Sequence, residues 1–151
     1  MKIYVAYTGG TIGMVPSDQG FVPGNAFAAD ILQHLATYQP EHEFEVHCYQ
    51  RLIDSSNATP EDWQAIAFDL QAKWQDYDGF VVLHGTDTMS YSAAALAFMF
   101  QHIRKPIVVT GSQIPMIKKR NDALSNVFGA VEAVLNGPNG VFLFFAGQLL
   151  E

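Results

Sequence analysis

Phe80-Val81-Val82-Leu83 is an unbroken apolar run, the signature of a strand covered on both faces. The run stops at His84-Gly85-Thr86-Asp87, and from Met89 the spacing changes. Met89, Ala93, Leu96, Ala97 and Phe100 mark one apolar stripe of a helix. The same alternation recurs along the chain. Residues 3–7, 106–109 and 141–146 read as further strands, and residues 44–52 as a less buried one with Phe44, Val46, Cys48 and Leu52 on one side. Between them lie three more helices. Asn25 can cap the first, which turns Phe27, Ile31, Leu32 and Leu35 inward. Thr59-Pro60-Glu61-Asp62 opens the second with a cap, a proline at N1 and acids in the first turn. Its inward face carries Trp63, Ile66, Ala67, Leu70 and Trp74. Another helix, about residues 122–135, carries Val127, Ala130, Val131 and Val134. Residues 14–24, rich in Pro, Gly, Ser and Asp, read as a mobile loop or loose hairpin. Together these predict one α/β domain over residues 1–151: a doubly wound, open, mostly parallel sheet with right-handed crossovers and helices on both faces.

Composition narrows the function. A chain of 151 residues with 49% hydrophobic and 15% charged residues builds a globular core. A formal net charge of −7 argues against nucleic acid, and Lys118-Lys119-Arg120 is a short, solvated loop cluster. Cys48 is alone, so no disulfide framework is implied and a reducing, cytoplasmic setting is expected. Nothing at the N-terminus resembles a signal peptide, and no apolar stretch is long enough to span a membrane.

The strand ends carry the chemistry. Thr8-Gly9-Gly10-Thr11, Asp54-Ser55-Ser56, Gly85-Thr86-Asp87-Thr88 and Gly111-Ser112-Gln113 each follow a strand. In a doubly wound sheet such loops share the carboxyl edge, where ligands bind. One cap of this kind is ordinary helix chemistry, whereas four converging loops rich in hydroxyls, with Asp87 as the main charge, describe a site. Thr11 and Thr86 are candidate nucleophiles beside glycine turns whose N–H groups are free for a developing oxyanion. No Ser-His-Asp set is evident, and His84 reads as a structural hydrogen-bonding residue. No His/Cys/Asp set has metal-ligand spacing. A dinucleotide or phosphate loop fits poorly, because Thr8 stands where the first glycine is needed and no Walker lysine follows.

Thr8-Gly9-Gly10-Thr11-Ile12-Gly13 and His84-Gly85-Thr86-Asp87-Thr88-Met89 resemble the two signature motifs of bacterial-type L-asparaginases. Asp54-Ser55-Ser56 followed by Thr59-Pro60-Glu61-Asp62-Trp63 resembles the cytoplasmic branch of that family, and Gly111-Ser112-Gln113-Ile114-Pro115 and Arg120-Asn121-Asp122 are similar too. The resemblance covers the whole chain. It implies hydrolysis of L-asparagine, with L-glutamine as the competing substrate, to the free acid and ammonia. It implies Thr11 as nucleophile and Thr86, coupled to Asp87, as the second catalytic threonine. Ser55 and Asp87 would grip the substrate α-carboxylate and α-amine, with Ser56 beside them, and the Ser112 carbonyl would lie against the amide. It implies no cofactor and no metal, and a homodimer or homotetramer whose active site a neighbouring subunit completes.

Two departures qualify the resemblance. The family's loop tyrosine is matched by Phe21, and its lysine beside the Thr-Asp couple lies beyond residue 151, as does its smaller C-terminal domain. The expectation is therefore an asparaginase N-terminal domain that oligomerises and by itself hydrolyses asparagine feebly or not at all. The alternative is a catalytically inactive amino-acid-binding or partner-binding module of the same fold. The amidase subunit of a tRNA-dependent amidotransferase shares the motifs, but the additional N-terminal domain of that subunit is not expected ahead of Met1. Leu149-Leu150-Glu151 is expected to follow the last strand at the sheet's carboxyl edge and to continue into a missing segment.

Overall fold

The apolar runs become the middle of a sheet. The computed structural model describes residues 1–151. Strands β1 (Lys2–Tyr7), β5 (Gly79–Leu83) and β6 (Pro106–Thr110) lie side by side, and every residue of β5 and β6 is buried. The full order is β4-β1-β5-β6-β7-β8, with β4 (Glu43–Cys48) at one edge and β7 (Gly140–Phe145) and β8 (Gln148–Leu150) at the other. All pairs are parallel except β7–β8. The alternating strand at residues 44–52 is shorter than its pattern predicts. It ends at Cys48, which is exposed, as the edge position requires.

Because side chains alternate across a strand, the sheet makes two cores. Ile3, Val5, Val81, Leu83 and Val108 face α1 (Phe27–Tyr38) and α4 (Ala123–Asn136). Tyr4, Ala6, Phe80, Val82, Ile107 and Val109 face α2 (Pro60–Ala72) and α3 (Met89–Met99). Ile66, Leu70 and Leu96 are fully buried there, and each contributes roughly 1.5–3 kcal/mol. Thr59 starts α2 as expected: its N–H donates to Asp62 Oδ2 at 2.9 Å, with Pro60 as the first helical residue. Two helix expectations change. Asn25 is not a cap, since α1 starts after Ala26 with no side-chain bond, and Leu32 is exposed. In α3 Ala97 points outward, and the buried place belongs to Ser92, which finds polar partners inside.

The crossovers do not all share one hand. From β1 the chain passes to β4 through α1 on the first face, then back across to β5 and on to β6 through α2 and α3 on the second. Those three units are equivalent in hand. The step from β6 to β7 runs in the same direction as the step before it, yet α4 lies on the first face. Its hand is therefore opposite. About 98% of such units are right-handed, so the uniform right-handedness expected from the alternation is corrected here. The long connection over residues 111–122 makes the exception workable: it crosses the carboxyl edge pinned by Met116 N–H to Ile12 O at 3.1 Å and by Asn126 Nδ2 to Gly111 O at 2.9 Å.

Residues 14–24 are an ordered hairpin, β2 (Met14–Ser17) against β3 (Gly20–Pro23), with Pro16 opposite Phe21. The last strand is also followed by a turn. Ala146 (φ 50°) and Gly147 (φ 79°) are both left-handed, so β8 folds back antiparallel on β7. Leu149 and Leu150 thus run away from the carboxyl edge, not along it. No helix is long and apolar enough to cross a membrane.

Candidate active site

The topological switch point lies between β1 and β5, from which the chain departs in opposite directions. Thr8 joins their ends. Its N–H and hydroxyl both donate to Leu83 O, at 3.0 and 2.9 Å, and its carbonyl accepts from Ile53 N–H at 2.7 Å. Beyond Thr8 the two motif turns touch backbone to backbone: a Cβ on Gly10, which sits at φ +95°, would lie 2.6 Å from Gly85 Cα. This close approach leaves a cavity of about 350 Å³ over the carboxyl ends, with Thr11, Ser55, Thr86 and Asp87 in its wall beside Tyr7 and Gln113.

The side chains there divide into tied and untied. Thr8, Thr88 and Thr110 each donate to a backbone carbonyl, of Leu83, Ser55 and Phe144 respectively. Thr11 and Thr86 have no such bond; both residues are half-buried and line the cavity. Ser55 is buried, with its hydroxyl 3.4 Å from Asp87 Oδ2. Asp87 is exposed at the rim, immediately before the N-terminus of α3. A carboxylate and two untied hydroxyls at one cavity suit a small polar ligand, and an untied hydroxyl is the kind of group that can act as a nucleophile.

Two of the sequence-predicted residues stand apart from this group. Ser56 is exposed, and its N–H and hydroxyl both donate to Asp54 Oδ1, at 3.1 and 2.8 Å. Those bonds and one from Asn57 hold the Asp54 carboxyl below its ordinary pKa. Ser112 is buried and donates to Ile114 O at 2.7 Å, so Gln113 is the residue of that loop in the wall. Asp122 holds the loop by accepting from the N–H groups of Gln113 and Ile114, at 2.9 and 3.0 Å.

His84 is the structural residue expected. Its Nδ1 is 2.8 Å from Gly85 O, and its Nε2 is 2.9 Å from Ser92 Oγ, which accepts from Trp63 Nε1 at 2.9 Å. A carbonyl only accepts and an indole only donates. One assignment satisfies the row: Trp63 donates to Ser92, Ser92 donates to His84 Nε2, and neutral His84 donates from Nδ1 to Gly85. Burial is the main reason the imidazole pKa falls below 6.5. The unfolded chain therefore binds the proton first, and the stability His84 contributes is complete above pH 6.5 and lost as pH falls towards the folded value. Thermal melts at pH 7.5 and 5.5 should show a larger drop for the wild type than for His84→Gln. Equal drops would remove His84 as the source.

Sequence reasoning passed over Tyr7, Ser92 and Asn126, because each looked like an ordinary strand or helix position, and it noted Asp122 only as part of a motif, without its role in holding the 113–114 loop. No three His, Cys, Asp or Glu side chains gather in a metal-binding arrangement.

Known proteins resemble this chain in sequence and fold. The family profile described as asparaginase, N-terminal, matches residues 2–151. L-asparaginase 1 of Escherichia coli strain K12 is 50% identical over 155 aligned residues, covering 98% of this chain and 45% of that protein. L-asparaginase of Dirofilaria immitis is 37% identical, over 89% of this chain and 27% of its own length. The crystal structure of L-asparaginase I from Vibrio cholerae has a TM-score of 0.88 at 48% identity, covering 98% of this chain and 45% of that one. The chain thus spans less than half the length of these relatives. With the profile running over nearly every residue and the sheet superposing on a solved member, the chain belongs to the asparaginase family and corresponds to its N-terminal domain.

Proposed function

We propose that this domain supplies the nucleophile and the substrate-binding residues of an L-asparaginase, which converts L-asparagine and water to L-aspartate and ammonia. The observation that carries this reading is the meeting of untied Thr11 and Thr86 with Ser55 and Asp87 at one cavity on the switch point. Asp87 receives the substrate α-ammonium and Ser55 its α-carboxylate. Thr11 Oγ adds to the side-chain amide carbon while turn N–H groups take up the oxyanion. The threonine proton passes to the amide nitrogen, the C–N bond breaks, and ammonia leaves. Water then cleaves the aspartyl–Thr11 ester, with Thr86 as the second hydroxyl of the proton path. We assign Ser56 to support of the Ser55 turn through Asp54, and Ser112 to placing the loop whose carbonyl faces the amide. L-Glutamine, one methylene longer, is the competing substrate.

The relatives named L-asparaginase support the reading, and no cofactor is needed for these steps. The outer faces of α2 and α3 expose Phe68, Tyr91, Phe98 and Met99, apolar area that a homodimer or homotetramer would cover. Lone Cys48 fits a reducing cytoplasm. Ammonia release from L-asparagine tests the function in a form extended to the length of the relatives, with the 151-residue chain alongside. Brisk release by the first and feeble release by the second is expected. Silence from the extended form towards both amides would leave the binding-module alternative.

Phe21 sharpens that test. It stands where a catalytic tyrosine is expected, but it is exposed, outside the cavity, with Lys118 Nζ 5.4 Å from its ring centre. Only Met14 and Pro23 of the hairpin reach the cavity wall. With the hairpin so placed, Phe21→Tyr should leave kcat within about threefold, far below the roughly 10²- to 10⁴-fold of full general-base assistance. A gain of that larger size would mean that the hairpin swings inward during turnover.

A further inference from the structure

Tyr7 ends β1 on the first face of the sheet, one residue before the motif that bears Thr11. Its ring is buried, 2% exposed, and packs on Phe27 with centroids 4.5 Å apart. Its hydroxyl donates to Gly10 O at 3.1 Å. On the far side of Thr11 the Gly13 backbone lies against the same phenol: a Cβ there would sit 2.5 Å from the Tyr7 oxygen. One rigid side chain thus touches both ends of the turn that spans Gly10 to Gly13. The turn's other ties are backbone bonds, among them Gly24 N–H to Gly13 O at 2.8 Å and Met116 N–H to Ile12 O at 3.1 Å, and no other side chain holds it. Its N-cap makes no side-chain bond, and the Met14 N–H closes it on Thr11 O.

We propose that Tyr7 is the positioning residue for the nucleophile, a clasp through which the first strand fixes the turn and aims the Thr11 hydroxyl into the cavity. This rests on the hydrolase reading above. The alternative role, proton acceptor in place of the missing loop tyrosine, conflicts with the same geometry. The Tyr7 hydroxyl is already committed to Gly10 O, and burial, followed by the neighbouring Cys48 thiol, pushes its pKa up to about 12. It stays protonated at neutral pH and holds rather than relays.

The test is Tyr7→Phe, which keeps the ring and removes the bond, in a form extended to the length of the relatives. Two amides report the turn without any substrate: Met14 N–H, bonded to Thr11 O, and Met116 N–H, bonded to Ile12 O. Their hydrogen exchange should quicken by about tenfold, the loss of one ordinary hydrogen bond, while the amides of β5 are unchanged. In turnover, kcat should fall about 10- to 100-fold, the usual effect of a misplaced reacting group, with KM within about twofold. The loss should be the same from pH 6 to pH 9, since the phenol that is removed stays protonated throughout that range. Gly13→Ala, which drives a methyl into the phenol, should reproduce both effects, and the double variant should add little. Unchanged exchange at Met14 and Met116 overturns the clasp. Faster exchange with normal kcat overturns positioning, as does a kcat loss that grows with pH. A wild type that releases no ammonia removes the hydrolase reading, and exchange then still decides whether Tyr7 holds the turn.

Discussion

In a form extended to the length of the relatives, Thr11→Ala is expected to lower kcat for asparagine hydrolysis by on the order of 10³-fold or more, with the melting temperature almost unmoved. The same holds for Thr86→Ala. Both residues are half-buried and line the cavity, and neither hydroxyl bonds to the chain, so neither deletion opens a void in the core or orphans a buried partner. Loss of rate without loss of fold follows directly. Residues that act as one unit are non-additive, so the double variant should be little worse than either single one. Thr8→Ala is the control. Its hydroxyl is fully buried and donates to Leu83 O, so its removal should cost about 1 kcal/mol of stability. Steady-state ammonia release with a melt on each variant separates the two kinds of threonine, and a Thr11→Ala or Thr86→Ala protein with near-normal turnover takes that residue out of the mechanism.

Gly10→Ala should fail in the opposite way, through the fold. Gly10 sits at φ +95°, and its added Cβ would meet backbone atoms of Gly85 rather than a side chain that could turn aside. Backbone strain of this kind costs about 1–3 kcal/mol, and the forced separation of the two turns adds to it. A total on the order of 3 kcal/mol lowers the melting temperature of a chain of this length by roughly 6–12 °C. Activity should disappear as well, because the contact that is broken sets the spacing of Thr11 and Thr86. A circular-dichroism melt within 2 °C of wild type would show that the turns do not meet as described.

Much of the fold is legible in the sequence itself. The apolar runs at β5 and β6 announce central strands, and Thr59-Pro60-Glu61-Asp62 announces α2, because local chemistry alone decides them. What was not legible depends on long-range partners. Ser92 takes a buried place in α3 because Trp63 and His84, from elsewhere in the chain, satisfy its hydroxyl. The β7–β8 turn puts Ala146 in a conformation that alanine does not advertise. Ser56 and Ser112 sit in the right loops, yet their side chains bond within those loops, a choice made by nearby acceptors and invisible in motif spacing. The hand of the last crossover is set by where residues 111–122 are anchored, and no periodicity encodes that.

That anchoring bears on how the protein is made. Met116 reaches back to Ile12 across roughly a hundred residues of chain, and contacts of such sequence separation form late because their loop must first close. On a ribosome, β1 and its threonine turn emerge early, and the wall formed by Gln113 cannot exist until β6 and the crossing loop have been synthesised. A nascent chain therefore holds the proposed nucleophile long before it holds the cavity around it.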